Sequence, residues 1–324
     1  MKKSTPIICA GAATAVHMGI SYLTFREIFA RNANIPRWIN EASKKKAKKK
    51  NPASAGKKDE RAEWMHAQKF TEYSLINERG QMLKAFYLEA AEKTDRFVLC
   101  SHGYRNQGKG EFRFITKFYH DNGYNVLLVD HVAEGDSEGK YMSFGHFESV
   151  DLKLWIQFLL DRFGNDIEIL LHGISMGSAT VLMLAGNEEL PENVKFVVSD
   201  CGYSNLHELF EDVLKVPKAF TLPLMKTVDL YHKAANGFSY YDISPIDAVK
   251  NIKIPVLFIH GIADGFIPAR MAQDMYDVCP SDKDILLVEH AGHIQSYRKN
   301  SGDYEKRILE FTQKNMKNKV TAGE

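Results

Sequence analysis

The sequence predicts an α/β fold. It reads as one mostly parallel, doubly wound sheet with an N-terminal antiparallel hairpin and a helical cap insertion. Three observations predict it. Short, nearly continuous apolar runs recur at 96-RFVLC-100, 125-NVLLVD-130, 167-IEILL-171, 194-VKFVVS-199, 255-PVLFIH-260 and 284-DILLVE-289, the pattern of parallel strands covered on both faces. Stretches of helical period lie between them. One connection, from Ser199 to Pro255, is far longer than the roughly 2–6 residues usual in such units.

The elements follow in chain order. Residues 6–25, PIICAGAATAVHMGISYLTF, contain no Asp, Glu, Lys or Arg. A run of that length just spans a hydrocarbon core, so residues 1–25 are expected to be a hydrophobic membrane anchor. Thr14, His17, Ser21 and Thr24 dilute the run. A cleaved signal peptide and a buried or surface amphipathic helix are the alternatives. Lys2 and Lys3 suit the first of these, but no clear small-x-small cleavage site follows.

Residues 26–62 read as a polybasic linker. Between Arg26 and Arg61 there are 12 Lys and Arg against 4 Asp and Glu. The segment 44-KKKAKKK-50 has too little apolar content to fold alone. It is expected either to be solvated or to be held by anionic lipid. No aromatic residues interleave with its lysines, so nucleic acid is not an expected partner. The basic excess lies on the C-terminal side of the apolar run. That side is therefore expected to face the cytoplasm, giving a single-pass protein of the cell membrane with a cytoplasmic globular part.

Residues 63–324 carry 28 basic and 37 acidic side chains and form the globular domain. The stretches 69-KFTEYSLIN-77 and 81-QMLKAFYLEA-90 flank the turn Glu78-Arg79-Gly80 and read as the antiparallel hairpin. Helices are expected within 111–122, 148–163, 177–187, 269–278 and 303–315. The apolar, aromatic-rich stretch 205–244 is read as helical, within a cap at about 203–250. It would lie over the C-terminal edge of the sheet, where open α/β folds bind ligands, or form an ordinary extra helical layer. The four cysteines, Cys9, Cys100, Cys201 and Cys279, include no Cys-x-x-Cys pair. They read as buried thiols rather than a disulfide framework.

Chemistry concentrates at 168-EILLHGISMGSATVLML-184. Gly173-Ile174-Ser175-Met176-Gly177 is G-x-S-x-G between a strand and a helix, the context in which a serine is exposed on a sharp turn. Gly173 and Gly177 permit the turn and close backbone packing. A nucleophilic Ser175 needs a base, and the base needs an orienting acid. His293, in 288-VEHAGHIQSY-297, lies in a glycine-bearing loop past the last strand and is favoured over His290. Asp264, in 259-IHGIADGFIPAR-270, follows the penultimate strand and is the favoured acid, with Asp200 as competitor. The oxyanion donors are expected to be the N–H groups of Met176 and, from the loop Ser101-His102-Gly103-Tyr104, of Tyr104.

In order and spacing, HGY, GISMG, IADGFIP and AGH resemble the α/β-hydrolase superfamily, over about residues 69–315. The loop 130-DHVAEGDSEG-139 resembles its D-x-x-G-x-G-x-S segment, with Glu134 where a small residue is more common. Within the superfamily the chain resembles the bacterial membrane-anchored YqkD-like serine hydrolases and the acylaminoacyl-peptidase-like catalytic domain. The resemblance implies a carboxylic ester hydrolase or acyltransferase with a small-molecule or lipid ester substrate, and a peptidase uses the same triad. The segment Gly103–Gly110 nearly matches a phosphate loop, but Gly110 replaces the Ser/Thr that binds magnesium. His207-Glu208 lacks the second histidine of H-E-x-x-H. No metal or other cofactor is expected. A non-catalytic binding module on this fold is the alternative class.

Overall fold

The computed structural model describes residues 5–31, 59–214 and 217–317. Its strands are β1 (Thr71–Ile76), β2 (Met82–Leu88), β3 (Arg96–Ser101), β4 (Asn125–Asp130), β5 (Glu168–Ile174), β6 (Val194–Asp200), β7 (Val256–Gly261) and β8 (Lys283–Val288). They form one sheet in the order β1-β2-β4-β3-β5-β6-β7-β8. β1 and β2 pair antiparallel, as do β2 and β4; every later pairing is parallel. The expected hairpin and six apolar strands are all present.

Helices α1 (Thr5–Phe29) and α2 (Glu60–His66) precede the sheet. The crossovers supply α3 (Gly108–Glu111), α4 (Thr116–Asp121), α5 (His146–Phe163) and α6 (Met176–Asn187). The long connection holds α7 (Leu206–Leu214), α8 (Lys218–Asn236) and α9 (Pro245–Val249), and α10 (Arg270–Val278), α11 (Ser296–Lys299) and α12 (Ser301–Asn315) complete the chain. The helix expected over 111–122 is interrupted by a 3₁₀ turn at Phe112–Phe114, which places Phe112 in the core.

Successive residues of a strand point to opposite faces, and β3 feeds two cores. Phe97 and Leu99 join Leu127, Trp155, Leu171 and Val197 on one face, beneath α5, α6 and α10. Val98 and Cys100 join Leu128, Leu170, Phe196 and Tyr304 on the other, beneath α2, α4 and α12. Helix α6 is buried on every side from Met176 to Ala185, so it lacks the polar face of a surface helix. Cys100, Cys201 and Cys279 are free and buried.

The third core corrects the reading of the N-terminus. Among the described residues no helix is long and apolar enough to cross a membrane. This overturns the expected single-pass anchor at the cell membrane with a cytoplasmic globular part. Of the polar residues that dilute the run, Ser21 and Thr24 bond carbonyls of their own helix, and His17 has a partner beyond it. His17 Nε2 lies 2.9 Å from Thr227 Oγ1 on α8, and Tyr231 Oη donates to Met18 O. Ser21, Phe25 and Phe29 are buried. Phe25 and Phe29 pack with Leu206, Leu209, Met225 and Tyr240 of the long connection and with Met176 of α6. The C-terminal part of α1 therefore packs on the body through Ser21, Phe25 and Phe29, while Val16, Met18, Ile20, Tyr22 and Leu23 are exposed. The basic run 44–50 lies outside the described residues.

Candidate active site

The two glycines around Ser175 have a steric explanation. Ser175 ends β5 and begins α6 with φ 57° and ψ −118°, a conformation that non-glycine residues rarely adopt. A Cβ on Gly173 would lie 2.2 Å from Gly177 O, and one on Gly177 would lie 1.9 Å from Ser101 O. Only glycine fits the turn against β3. Its first hydrogen bond, Ser175 N–H to Asp200 O at 2.8 Å, ties it to β6.

The turn aims Ser175 Oγ at His293 Nε2, 2.9 Å away. His293 Nδ1 lies 2.7 Å from Asp264 Oδ2. Asp264 Oδ1 accepts the N–H groups of Phe266 (2.8 Å) and Ile267 (3.0 Å). Burial alone would raise the Asp264 carboxyl. Hydrogen bonds from His260, His293 and Phe266 N–H outweigh it and hold the group well below the usual carboxylate range. A charged carboxylate there fixes the proton on His293 Nδ1 and leaves Nε2 free to accept from serine. The competing residues sit elsewhere. The His290 side chain is almost fully exposed. Asp200 accepts its hydrogen bond from Tyr304 Oη at 3.0 Å.

The loop after β3 is held from behind by groups that sequence reasoning missed. Buried His102 has its pKa lowered to about 4 by desolvation. The neutral ring donates from Nδ1 to Gly103 O (2.7 Å) and accepts at Nε2 from His131 N–H (3.1 Å). Gly103 N–H reaches Glu111 Oε2 at 3.3 Å. Arg105 N–H donates to Glu134 Oε1, and burial pushes the Glu134 carboxyl well up. The unusual Glu134 was visible in the sequence; its role as a loop brace was not. The amide of Gly108, within the near-match to a phosphate loop, donates to Asp130 Oδ1 at 2.8 Å and so is not turned to a phosphate.

Ser175, Tyr104 and Met176 line one cavity of about 210 Å³, closed by Phe144, Tyr203, Leu209, Phe210, Val213, Leu214, Phe266, Ile267 and, from α1, Ile28. None of these side chains is charged. Among the described residues one group could offer donors to a metal ion: Cys201, Asp264 and His293, with ligand atoms within 4.8 Å of one another. The carboxylate and imidazole of that group are hydrogen-bonded to each other.

A family model described as the prolyl oligopeptidase family matches residues 111–319. The Bacillus subtilis protein YqkD is 28% identical over 242 residues, 74% of this chain and 78% of that protein. The human alpha/beta hydrolase domain-containing protein 17C is 26% identical over 264 residues, 78% and 70% of the two chains. Among solved structures, an esterase of Pyrococcus furiosus superposes with a TM-score of 0.63 at 20% identity, covering 81% of this chain and 96% of that one. Acetyl xylan esterase 1 of Thermoanaerobacterium gives 0.56 at 16% identity, covering 80% and 92%. At such identities the structural likeness is one of fold.

Proposed function

Because the chain belongs to the prolyl oligopeptidase family and is a serine hydrolase of the α/β-hydrolase superfamily, we propose that it cleaves carboxylic esters with an apolar acyl group through an acyl-enzyme on Ser175. One observation carries the reading: the hydrogen-bonded line from Ser175 through His293 to Asp264 opens onto an apolar cavity.

Ser175 Oγ attacks the acyl carbon as its proton passes to His293 Nε2. Asp264 keeps the other imidazole proton on Nδ1 and stabilises the imidazolium that forms. The oxyanion of the tetrahedral intermediate takes hydrogen bonds from Tyr104 N–H and Met176 N–H. Collapse expels the alcohol with the proton from His293. Water then attacks the acyl-enzyme, gives its proton to His293, and the acid leaves as serine is restored. The cavity of about 210 Å³ is walled by apolar and aromatic side chains, which favours an apolar acyl chain. The family favours peptide cleavage as a second reading. The same three residues would perform it, but the cavity lining offers no charge to a peptide terminus.

The test is fluorophosphonate labelling of the full chain beside Ser175→Ala, with p-nitrophenyl esters of increasing length and peptide anilides as substrates. Labelling and ester turnover in the wild type, both lost in Ser175→Ala, are expected. Anilide turnover that exceeds ester turnover would establish the peptidase reading instead. A folded wild type that neither labels nor turns over would leave a binding module.

A further inference from the structure

The last turn of α1 ends inside the active site. A helix leaves its last four carbonyls without intrahelical partners. Here every one of them is taken, mostly by the loops that build the site. Arg26 O accepts from Ala30 N–H at 3.0 Å, and Phe29 O from Met142 N–H at 2.8 Å. Ile28 O accepts from Tyr104 Oη at 2.6 Å. Glu27 O accepts from the Arg105 guanidinium and, at 3.4 Å, from Tyr104 Oη. Tyr104 and Arg105 are the residues whose placement decides where Tyr104 N–H points. Arg105 sits at φ 57°, a left-handed conformation that a non-glycine residue holds only when its surroundings impose it. The Glu134 carboxyl on the Arg105 amide and the α1 carbonyl on its guanidinium are those surroundings. Ile28 meanwhile forms part of the cavity wall beside Ser175.

We propose that the last turn of the N-terminal helix is a working part of the active site: Ile28 sets acyl-chain length, and the Glu27 and Ile28 carbonyls position the loop that carries the oxyanion donor Tyr104. The proposal rests on the ester-hydrolase reading of Ser175. It makes Ile28 a specificity residue and the Tyr104 hydroxyl a positioning group, acting through the backbone of its own residue.

The experiment uses the full chain and compares wild type, Ile28→Ala, Ile28→Trp and Tyr104→Phe on p-nitrophenyl butyrate and octanoate, with melting temperatures measured alongside. In Ile28→Trp the ratio of kcat/KM for octanoate to that for butyrate is expected to fall about tenfold or more, the scale of one or two methylenes refused by a pocket. Ile28→Ala is expected to move the ratio the other way, and it carries the test if tryptophan is not accommodated. Tyr104→Phe keeps the ring and loses the bond to α1. Its kcat is expected to fall about three- to tenfold on both esters, with KM nearly unchanged, because the weakened contact is one made in the transition state. A folded Ile28→Ala with the wild-type ratio, or a Tyr104→Phe with wild-type kcat, would overturn the proposal. A wild type that turns over neither ester would overturn the ester-hydrolase reading beneath it.

Discussion

Asp200 ends β6 and Asp264 follows β7, both beside Ser175, and replacing each by asparagine is expected to have opposite consequences. Asp200 is 3% exposed. Tyr304 Oη donates to its Oδ2; its Oδ1 makes no well-formed hydrogen bond among the described residues, and the nearby Ser296 hydroxyl offsets the desolvation only in part. Desolvation raises its pKa from the ordinary 3.8 to about 6. The folded value then lies above the unfolded one, so between about pH 4 and 6 the native carboxyl keeps a proton that the unfolded chain has lost. Stability from this group falls as pH rises through that window, by about 3 kcal/mol in all, and stays lower above it. Asparagine has no proton to lose. Its oxygen can still accept from Tyr304, and its amide can donate to the buried Ser296 Oγ, which faces the carboxyl in the wild type.

The stability of Asp200→Asn minus that of wild type is therefore expected to grow by about 3 kcal/mol from about pH 4 to pH 7 and to level off above it, read by urea unfolding at each pH. Asp264 has the opposite shift. Its stabilisation is present above about pH 4 and fades only below, outside that window. In kinetics, Asp200→Asn is expected to keep kcat within about threefold, and Asp264→Asn to lose about 10⁴-fold through loss of the correct imidazole tautomer. A pH-independent stability difference would refute the buried-charge argument. A folded, inactive Asp200→Asn would refute the assignment of Asp264 as the orienting acid.

Further substitutions test the fold around the site. Gly177→Ala would set a Cβ 1.9 Å from Ser101 O and is expected to prevent folding or to cost more than about 4 kcal/mol, whereas Gly302→Ala, in a helix with nothing within 4 Å, is expected to be neutral or stabilising by up to about 1 kcal/mol; thermal melts compare the two. Phe29→Ala removes a fully buried ring that meets His232, Phe144 and Tyr240. It is expected to destabilise by about 3–5 kcal/mol in denaturant titration, and a silent substitution would mean that α1 does not pack on the body in solution. His290→Gly relieves a left-handed φ of 57° at an exposed side chain and is expected to stabilise by up to about 1 kcal/mol in urea without loss of turnover, in contrast to His293→Ala.

The strands and the Ser175 turn were legible because each rests on a local rule. Runs such as Val126–Val129 are apolar without a break because both faces of the sheet are covered, and Gly173 and Gly177 are required by backbone atoms close in space. His293 and Asp264 were legible from chain order, since each follows a strand end. Helix α1 was misread because its signal is not local. An apolar, uncharged run has the same composition whether lipid or protein receives it. What decides is which groups find partners outside the helix: Thr227 for His17, Tyr231 for the Met18 carbonyl, and the Tyr104–Arg105 loop for the helix end. Those partners lie more than seventy residues away in sequence.

Backbone strain gives the same lesson in another form. Among the described residues seven that are not glycine have positive φ: Arg105, Ala133, Phe144, Ser175, Cys201, His290 and Ile294. Arg105 follows β3, Ala133 and Phe144 follow β4, Ser175 follows β5, Cys201 follows β6, and His290 and Ile294 follow β8. All seven therefore lie beyond the C-terminal ends of strands, on the edge where open α/β sheets bind ligands. Each such residue costs on the order of 1 kcal/mol or more and persists only where its neighbours over-determine it. Glycine at these positions would remove the cost. Two of the seven immediately flank groups proposed for the chemistry: Arg105 follows Tyr104, and Ile294 follows His293. A third is Ser175 itself. The loops along that edge bring Ser175, His293 and Asp264 within hydrogen-bond reach of one another, over a sheet with an apolar core on each face.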